Sequence, residues 1–303
     1  LEAKEESVEC LSSDVMEEWI DKKEYPFQSN YFDLPIGRLH YVDEGDSDHA
    51  LVMVHGNPAW SFTYRNLIKH LSKKYRCIAP DHLGFGLSDK PIEWDYLPEL
   101  HAINLEKLLN HLDLQSITMV VGDWGGPIGL SYAVNHPDRI KSIVITNTWM
   151  WSVEGVFHFE MFSRFMGGFI GRALIMRYNF FVKVLMRKMF RSEITPSIHQ
   201  HYIEPLKKQM DRKGCWIFPK QIIGSSNWLA GLWNKRQAIA DRPSLIIWGN
   251  KDIAFREIEL EKWKYLFTDV EVHDYDNVGH FVQEELGDEF CLLVEKHLED
   301  TKA

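Results

Sequence analysis

Short, unbroken apolar runs alternate along this chain with longer stretches of helical period. Residues 50–54 read Ala-Leu-Val-Met-Val and stop at His55-Gly56-Asn57-Pro58. A run this short, without polar alternation, fits a strand buried on both faces. Residues 75–79, 117–121, 141–146, 244–249 and 270–275 repeat the type, and 37–45 read as a strand entering a turn. Helical segments lie between them. One is expected from about Trp60 to Leu71. A second spans Leu97 to Leu114, where Leu100, Ile103, Leu105, Leu108, Leu109 and Leu112 recur at three- and four-residue spacing. A third begins at Pro127, and a last one lies near Phe281 to Glu299. This order predicts an α/β domain with a mostly parallel sheet and helices on both faces.

The rhythm breaks between about Met150 and Ala240, where the chain is helical and aromatic with no clear strand. A sheet domain over 25–149 and 241–303, interrupted by a helical cap over 150–240, accounts for the order. Residues 1–24, rich in Glu, Lys, Ser and Asp, read as an N-terminal extension with no apolar signal-peptide core. The chain starts at Leu1, which suggests processing or truncation of the N-terminus. At 303 residues and 45% hydrophobic, it is large enough for one sizeable core plus an insertion.

Charge sharpens the division. The net charge of −10 argues against general nucleic-acid binding. Yet 150–240 carries fourteen Lys/Arg against five Asp/Glu. The stretch 172–191 has the look of a basic amphipathic membrane helix, but it is too interrupted by charge to span a bilayer. A cap helix with one face over a pocket is the simpler reading. The charge contrast also suits subunit pairing, so a homo-oligomer stays open. Cys10, Cys77, Cys215 and Cys291 are scattered without CxxC spacing, which reads as reduced thiols in a cytoplasmic protein and not as a metal site.

The densest chemical signal is Val121-Gly122-Asp123-Trp124-Gly125-Gly126. It sits between an apolar strand and a helix, the context of a nucleophile elbow, with Asp123 where hydrolases usually carry Ser. A carboxylate suits displacement at a saturated carbon and leaves an ester on the enzyme. In such a fold the acid and the histidine follow in that order. Asp252 comes directly after a late strand, and His280 lies in a Gly-containing loop before the last helix. Alone, each reads equally as a cap or turn residue; together and in order they form a triad. In such a fold the loop after residues 50–54 would supply the N–H of Asn57 to an oxyanion, and the residue after the nucleophile would supply that of Trp124. Their side chains are donors too. Alone, Asn57 would stabilise its own turn and Trp124 would be a packing aromatic.

Five stretches carry a resemblance. They are His55-Gly56-Asn57-Pro58 followed by residues 61–65, Asp81 to Asp89, Gly122 to Gly126, Trp248 to Asp252, and Gly279-His280-Phe281. From about Tyr25 onward the chain resembles the haloalkane dehalogenases of the α/β-hydrolase superfamily. The resemblance implies an eight-stranded α/β-hydrolase fold, Asp123 as nucleophile, His280 as base, Asp252 as acid, and Asn57 with Trp124 as halide donors. It implies a halogenated alkane as substrate, with no metal and no cofactor. Some family members carry a Glu just after the strand before the cap. Here that region reads Thr146-Asn147-Thr148-Trp149, which favours Asp252, with Asp274 and Asp276 as next candidates. Others use a second Trp, for which Trp149, Trp151, Trp216, Trp228 and Trp233 are available.

Three other readings share these residues. An epoxide hydrolase would keep the triad and need cap tyrosines, for which Tyr178 and Tyr202 are available. A luciferase-like relative would favour the earlier Glu. A non-catalytic binding module would have no need of an intact triad. The aromatics Phe157, Phe159, Phe162, Phe165 and Phe169 fit either an apolar pocket or the core of the cap.

Overall fold

The structure, a computed structural model, describes residues 17–301. Eight strands form one sheet: β1 (Asn30–Leu34), β2 (Gly37–Glu44), β3 (His49–Val54), β4 (Arg76–Pro80), β5 (Ser116–Asp123), β6 (Ile140–Thr148), β7 (Ser244–Gly249) and β8 (Val270–Tyr275). Their spatial order is β1-β2-β4-β3-β5-β6-β7-β8. From β4 to β8 every pairing is parallel, and β2 runs antiparallel to both β1 and β4. Leu51, Val52, Val120, Val144 and Ile246 are fully buried, as unbroken apolar strands between two helical layers require.

The helices before β7 are α1 (Arg65–Leu71), α2 (Pro98–His111), α3 (Gly125–Asn135), α4 (Phe157–Gly167), α5 (Phe169–Tyr178), α6 (Arg187–Met189), α7 (Pro196–Ile203), α8 (Lys213–Gly224) and α9 (Ser226–Asn234). After it come α10 (Glu257–Leu266), α11 (Val282–Glu285) and α12 (Asp288–Asp300). Helices α4 to α9 thus all lie in the segment where the strand rhythm stopped.

The differences from the sequence reading have local causes. The helix expected from Trp60 begins as a 3-10 turn at Ser61–Tyr64 before α1. The final helix is split in two at Gly287, which has φ +54°. Strand β1 was not expected, because it carries no polar–apolar alternation in sequence: Tyr31 and Asp33 are exposed, and Asn30 and Phe32 half-buried, at the edge of the sheet. Nor was α10, which buries only Leu260, Trp263, Leu266 and the N-terminal Glu259. Cys10 and most of the 1–24 extension lie outside the described residues. Cys77, Cys215 and Cys291 are free and buried.

Register explains why the candidate residues meet. Val54 of β3 pairs with Val121 of β5, Ile145 of β6 with Val121, and Thr146 with Ile247 of β7. Parallel strands in this register release their following loops at the same edge of the sheet. At that edge Asp123 ends β5 and Asn147 lies next to the end of β6, while Asn57 and Asp252 sit in the loops after β3 and β7. The loop after β8 carries His280. Open parallel sheets offer ligands a crevice at this carboxyl edge.

Candidate active site

Asp123 occupies a left-handed backbone conformation, φ +48°, at the turn from β5 into α3. A non-glycine residue is rarely held there, and such conformations concentrate at functional sites. Flanking glycines allow the turn. A Cβ on Gly125 would stand 1.9 Å from the carbonyl oxygen of Val54, and one on Gly56 would stand 2.3 Å from the Asp123 carboxylate. Thr148 Oγ1 donates to the Asp123 carbonyl at 2.5 Å.

The carboxylate faces two partners. Its Oδ1 accepts the N–H of Asn57 at 2.7 Å. Its Oδ2 lies 3.7 Å from His280 Nε2. Burial pushes the Asp123 carboxyl upward, while His280 and the N–H groups of Trp124 and Asn57 pull it back down.

On its far side, His280 Nδ1 lies 2.7 Å from Asp252 Oδ2, both side chains buried. Burial opposes protonation of His280. The Asp252 charge and hydrogen bond, joined by Asp123, outweigh it and hold the imidazole above its usual range. Asp252 Oδ1 accepts the N–H of Ala254 at 2.7 Å. Its Oδ2 also accepts from Asn147 Nδ2 at 3.0 Å. Asn147 is itself clamped to Gly249: Oδ1 accepts its N–H at 2.8 Å and Nδ2 donates to its carbonyl at 2.9 Å. In sequence Asn147 marks only the absence of a carboxylate; the pairing of β6 with β7 brings it to Asp252. The reserve acids Asp274 and Asp276 both accept from Asn250 Nδ2 at 3.2 Å, on the exposed side of the loop.

Next to Asp123 lies an apolar cavity of about 240 Å³. Asn57, Trp124 and Trp149 form its floor, and Phe159, Phe162 and Pro219 come from α4 and α8. Pro219 has no N–H, so it leaves the carbonyl of Cys215 without a helical donor. Asn57 Nδ2 reaches that carbonyl at 3.5 Å, a long contact. Trp124 is fixed between Phe218, stacked at 5.3 Å, and Trp149, edge-on at 4.7 Å. Trp149 Nε1 is buried with no hydrogen-bond partner. Of the five candidate helper tryptophans, Trp149 is the one that lines the cavity. Across Asp123, a second cavity of about 20 Å³ is bounded by Asp123, His280, Asn57 and Gln283.

The cap tyrosines lie elsewhere. Tyr178 is 60% exposed, with the Arg177 guanidinium 5.8 Å from its ring centre. Tyr202 is buried in a polar knot, where its hydroxyl donates to Glu284. Arg65 grips the same carboxylate at 2.5 and 2.9 Å. This knot ties α7 to α11, the helix that follows the loop of His280. The N–H of His280 also donates to Met189 at 3.0 Å, so the inserted helices brace the histidine loop. Of the five aromatics, Phe159 and Phe162 line the cavity. Phe157, Phe165 and Phe169 are exposed and serve neither pocket nor core.

Among the described residues, no cluster of three His, Cys, Asp or Glu has metal-ligand spacing. No described helix is long and apolar enough to cross a membrane.

A carboxylate on a strained strand-to-helix turn, backed by a histidine and a second carboxylate at the same sheet edge, defines an α/β hydrolase. Residues 49–285 match the alpha/beta hydrolase fold family. The chain is 36% identical over 276 residues to haloalkane dehalogenase 2 of Mycobacterium tuberculosis, covering 90% of this chain and 96% of that one. It is 33% identical over 293 residues to cis-3-alkyl-4-alkyloxetan-2-one decarboxylase of Shewanella oneidensis, covering 91% and 90%. A mutant haloalkane dehalogenase from Agrobacterium tumefaciens C58 superposes with a TM-score of 0.82 at 22% identity, covering 90% and 96%. This last likeness speaks for the fold alone. The chain belongs to the haloalkane dehalogenase family of the α/β hydrolases.

Proposed function

We propose that this protein hydrolyses haloalkanes to alcohol and halide through an alkyl ester on Asp123. The observation that carries this reading is the pair of cavities flanking one carboxylate. The larger is apolar and floored by N–H donors. The smaller is about one water in volume and touches His280. In the first step Asp123 attacks the carbon that bears the halogen, and the carbon–halogen bond breaks. The halide departs toward the side-chain N–H groups of Asn57 and Trp124, which act where negative charge develops. Trp149, with its buried unpaired N–H beside Trp124, is placed to add a third donor. In the second step His280 takes a proton from water on the small-cavity side. The water attacks the Asp123 carboxyl carbon, and the oxyanion forms against the N–H groups of Asn57 and Trp124. Its collapse breaks the bond to the alkoxy oxygen, which leaves as alcohol with the imidazolium proton, while the proton left on Asp123 passes to solvent. Asp252 keeps the proton of the imidazole on Nδ1 and stabilises the imidazolium. The scheme asks for no metal or cofactor. The segment 150–240 serves as the cap, over a core domain of 25–149 and 241–303.

The epoxide reading loses its support, since neither Tyr178 nor Tyr202 lines the cavity. The place of the earlier Glu, which a luciferase-like relative would favour, is taken by Asn147 in its bond to Asp252. The 33% identity to an oxetanone decarboxylase supports a second reading, in which Asp123 acts on a strained lactone. The water-sized cavity on His280 favours hydrolysis.

The test pairs brominated alkanes with a dialkyl oxetan-2-one. The wild type is expected to release bromide continuously. His280→Phe should release about one bromide per site and then stop with the alkyl mass on Asp123, because displacement needs no proton removed. Carbon dioxide from the oxetanone without bromide from any haloalkane would transfer the assignment to the decarboxylase.

A further inference from the structure

Helix α4 presents Phe157, Met161 and Phe165 to solvent at four-residue spacing, 78%, 57% and 50% exposed. The start of α5 adds Phe169 and Ile170, 86% and 59% exposed. Large aromatics at this spacing are a buried-face pattern, yet in this chain the pattern points outward. Contiguous exposed apolar surface of this kind marks an interaction site.

The charge around the stripe indicates what covers it. Residues 156–191 hold seven Lys/Arg and a single acid, Glu160. Arg164, Arg172 and Arg177 are exposed beside the aromatics. Arg172 lies 4.9 Å over the ring of Trp216, and Arg177 lies 5.8 Å from that of Tyr178. The protein as a whole is acidic, at −10. An anionic surface therefore repels most of this molecule and attracts this face. Apolar rings rimmed by arginines are the composition of an interfacial membrane anchor. Symmetric pairing of the face with a second copy would oppose two strongly basic patches.

The face also adjoins the way into the cavity. Met161 belongs to the exposed stripe and lines the cavity wall, where it is joined by Ile253, 45% exposed.

We propose that the α4–α5 face docks on the surface of an anionic lipid bilayer and turns the cavity mouth toward the lipid. The proposal rests on this surface and not on the reaction assigned to the site. It does not require a spanning helix, because the rings enter only the headgroup boundary.

The test is co-sedimentation of the full chain with vesicles of phosphatidylcholine containing phosphatidylglycerol, and with vesicles of phosphatidylcholine alone. Binding to the anionic vesicles is expected, at least tenfold weaker on the neutral ones. The variant Phe157→Ser with Phe169→Ser, and separately Arg164→Gln with Arg172→Gln, should each lower the anionic partition at least tenfold. All four side chains lie outside the cavity, so the far-UV circular dichroism and the thermal unfolding midpoint should stay close to wild type and report folding. No binding to anionic vesicles, or binding unchanged in both variants, would overturn the proposal. So would a dimer in sedimentation velocity that dissociates in the Phe variant while vesicles fail to bind, which would assign the face to a second copy.

Discussion

Asp252→Asn tests the site most sharply, because the structure dictates how the amide must sit. Both carboxylate oxygens of Asp252 accept from fixed N–H groups: Oδ1 from Ala254 at 2.7 Å, and Oδ2 from Asn147 at 3.0 Å and from His280 at 2.7 Å. Asn147 cannot turn to help, since flipping it would set donor against donor and oxygen against oxygen at Gly249. The new amide therefore has two poor choices. With its oxygen toward His280, its NH2 opposes the N–H of Ala254, which costs about 1–3 kcal/mol of buried polar mismatch. The imidazolium also loses its counter-charge, about 1.5–3 kcal/mol more. With its NH2 toward His280, the imidazole is forced to carry its proton on Nε2 and cannot act as a base. Losses of about ten-thousandfold accompany that tautomer in triads of this type. Ester hydrolysis should fall between about a hundredfold and ten-thousandfold. Displacement needs only the Asp123 carboxylate and should stay close to wild type. Rapid-quench measurement of bromide is the assay: a burst near one equivalent per site, then slow turnover, with alkylated protein visible by intact mass. Hydrolysis within fivefold of wild type, or a lost burst in folded protein, would refute the reasoning.

Two further predictions follow the same geometry. Asn57→Ala and Trp124→Phe should each slow carbon–bromine cleavage by about 2–4 kcal/mol, with Trp149→Phe smaller than either; halide quenching of tryptophan fluorescence and burst rates report this. The acid limb of turnover should lie above the usual histidine range in the free enzyme, because Asp252 and Asp123 raise His280 and only neutral imidazole accepts the proton. Alkylation removes the Asp123 charge, so the limb for ester hydrolysis should sit lower than that of the free enzyme. Below both, the bromide burst should outlast turnover, which pH-jump quench experiments can show.

The sequence alone determined seven of the eight strands, the glycine-flanked turn at Asp123 and the chain order of the candidate acid and histidine, because buried strands are continuous apolar runs and a strained turn needs its glycines. Asp123, Asp252 and His280 were readable from context as candidates, and so were Asn57 and Trp124; the structure brings them together. Tertiary structure decided what depends on neighbours far apart in the chain. Asn147 looks like an absent acid in sequence and becomes the clamp on Asp252 only when β6 pairs with β7. Tyr202 looks like a cap acid until Arg65 and Glu284 are seen to hold it away from the cavity. The cap aromatics carry one helical pattern that fits pocket, core and surface alike. Packing alone sorts Phe159 and Phe162 inward and leaves Phe157 and Phe169 in solvent, because periodicity fixes which residues share a face and not what that face meets.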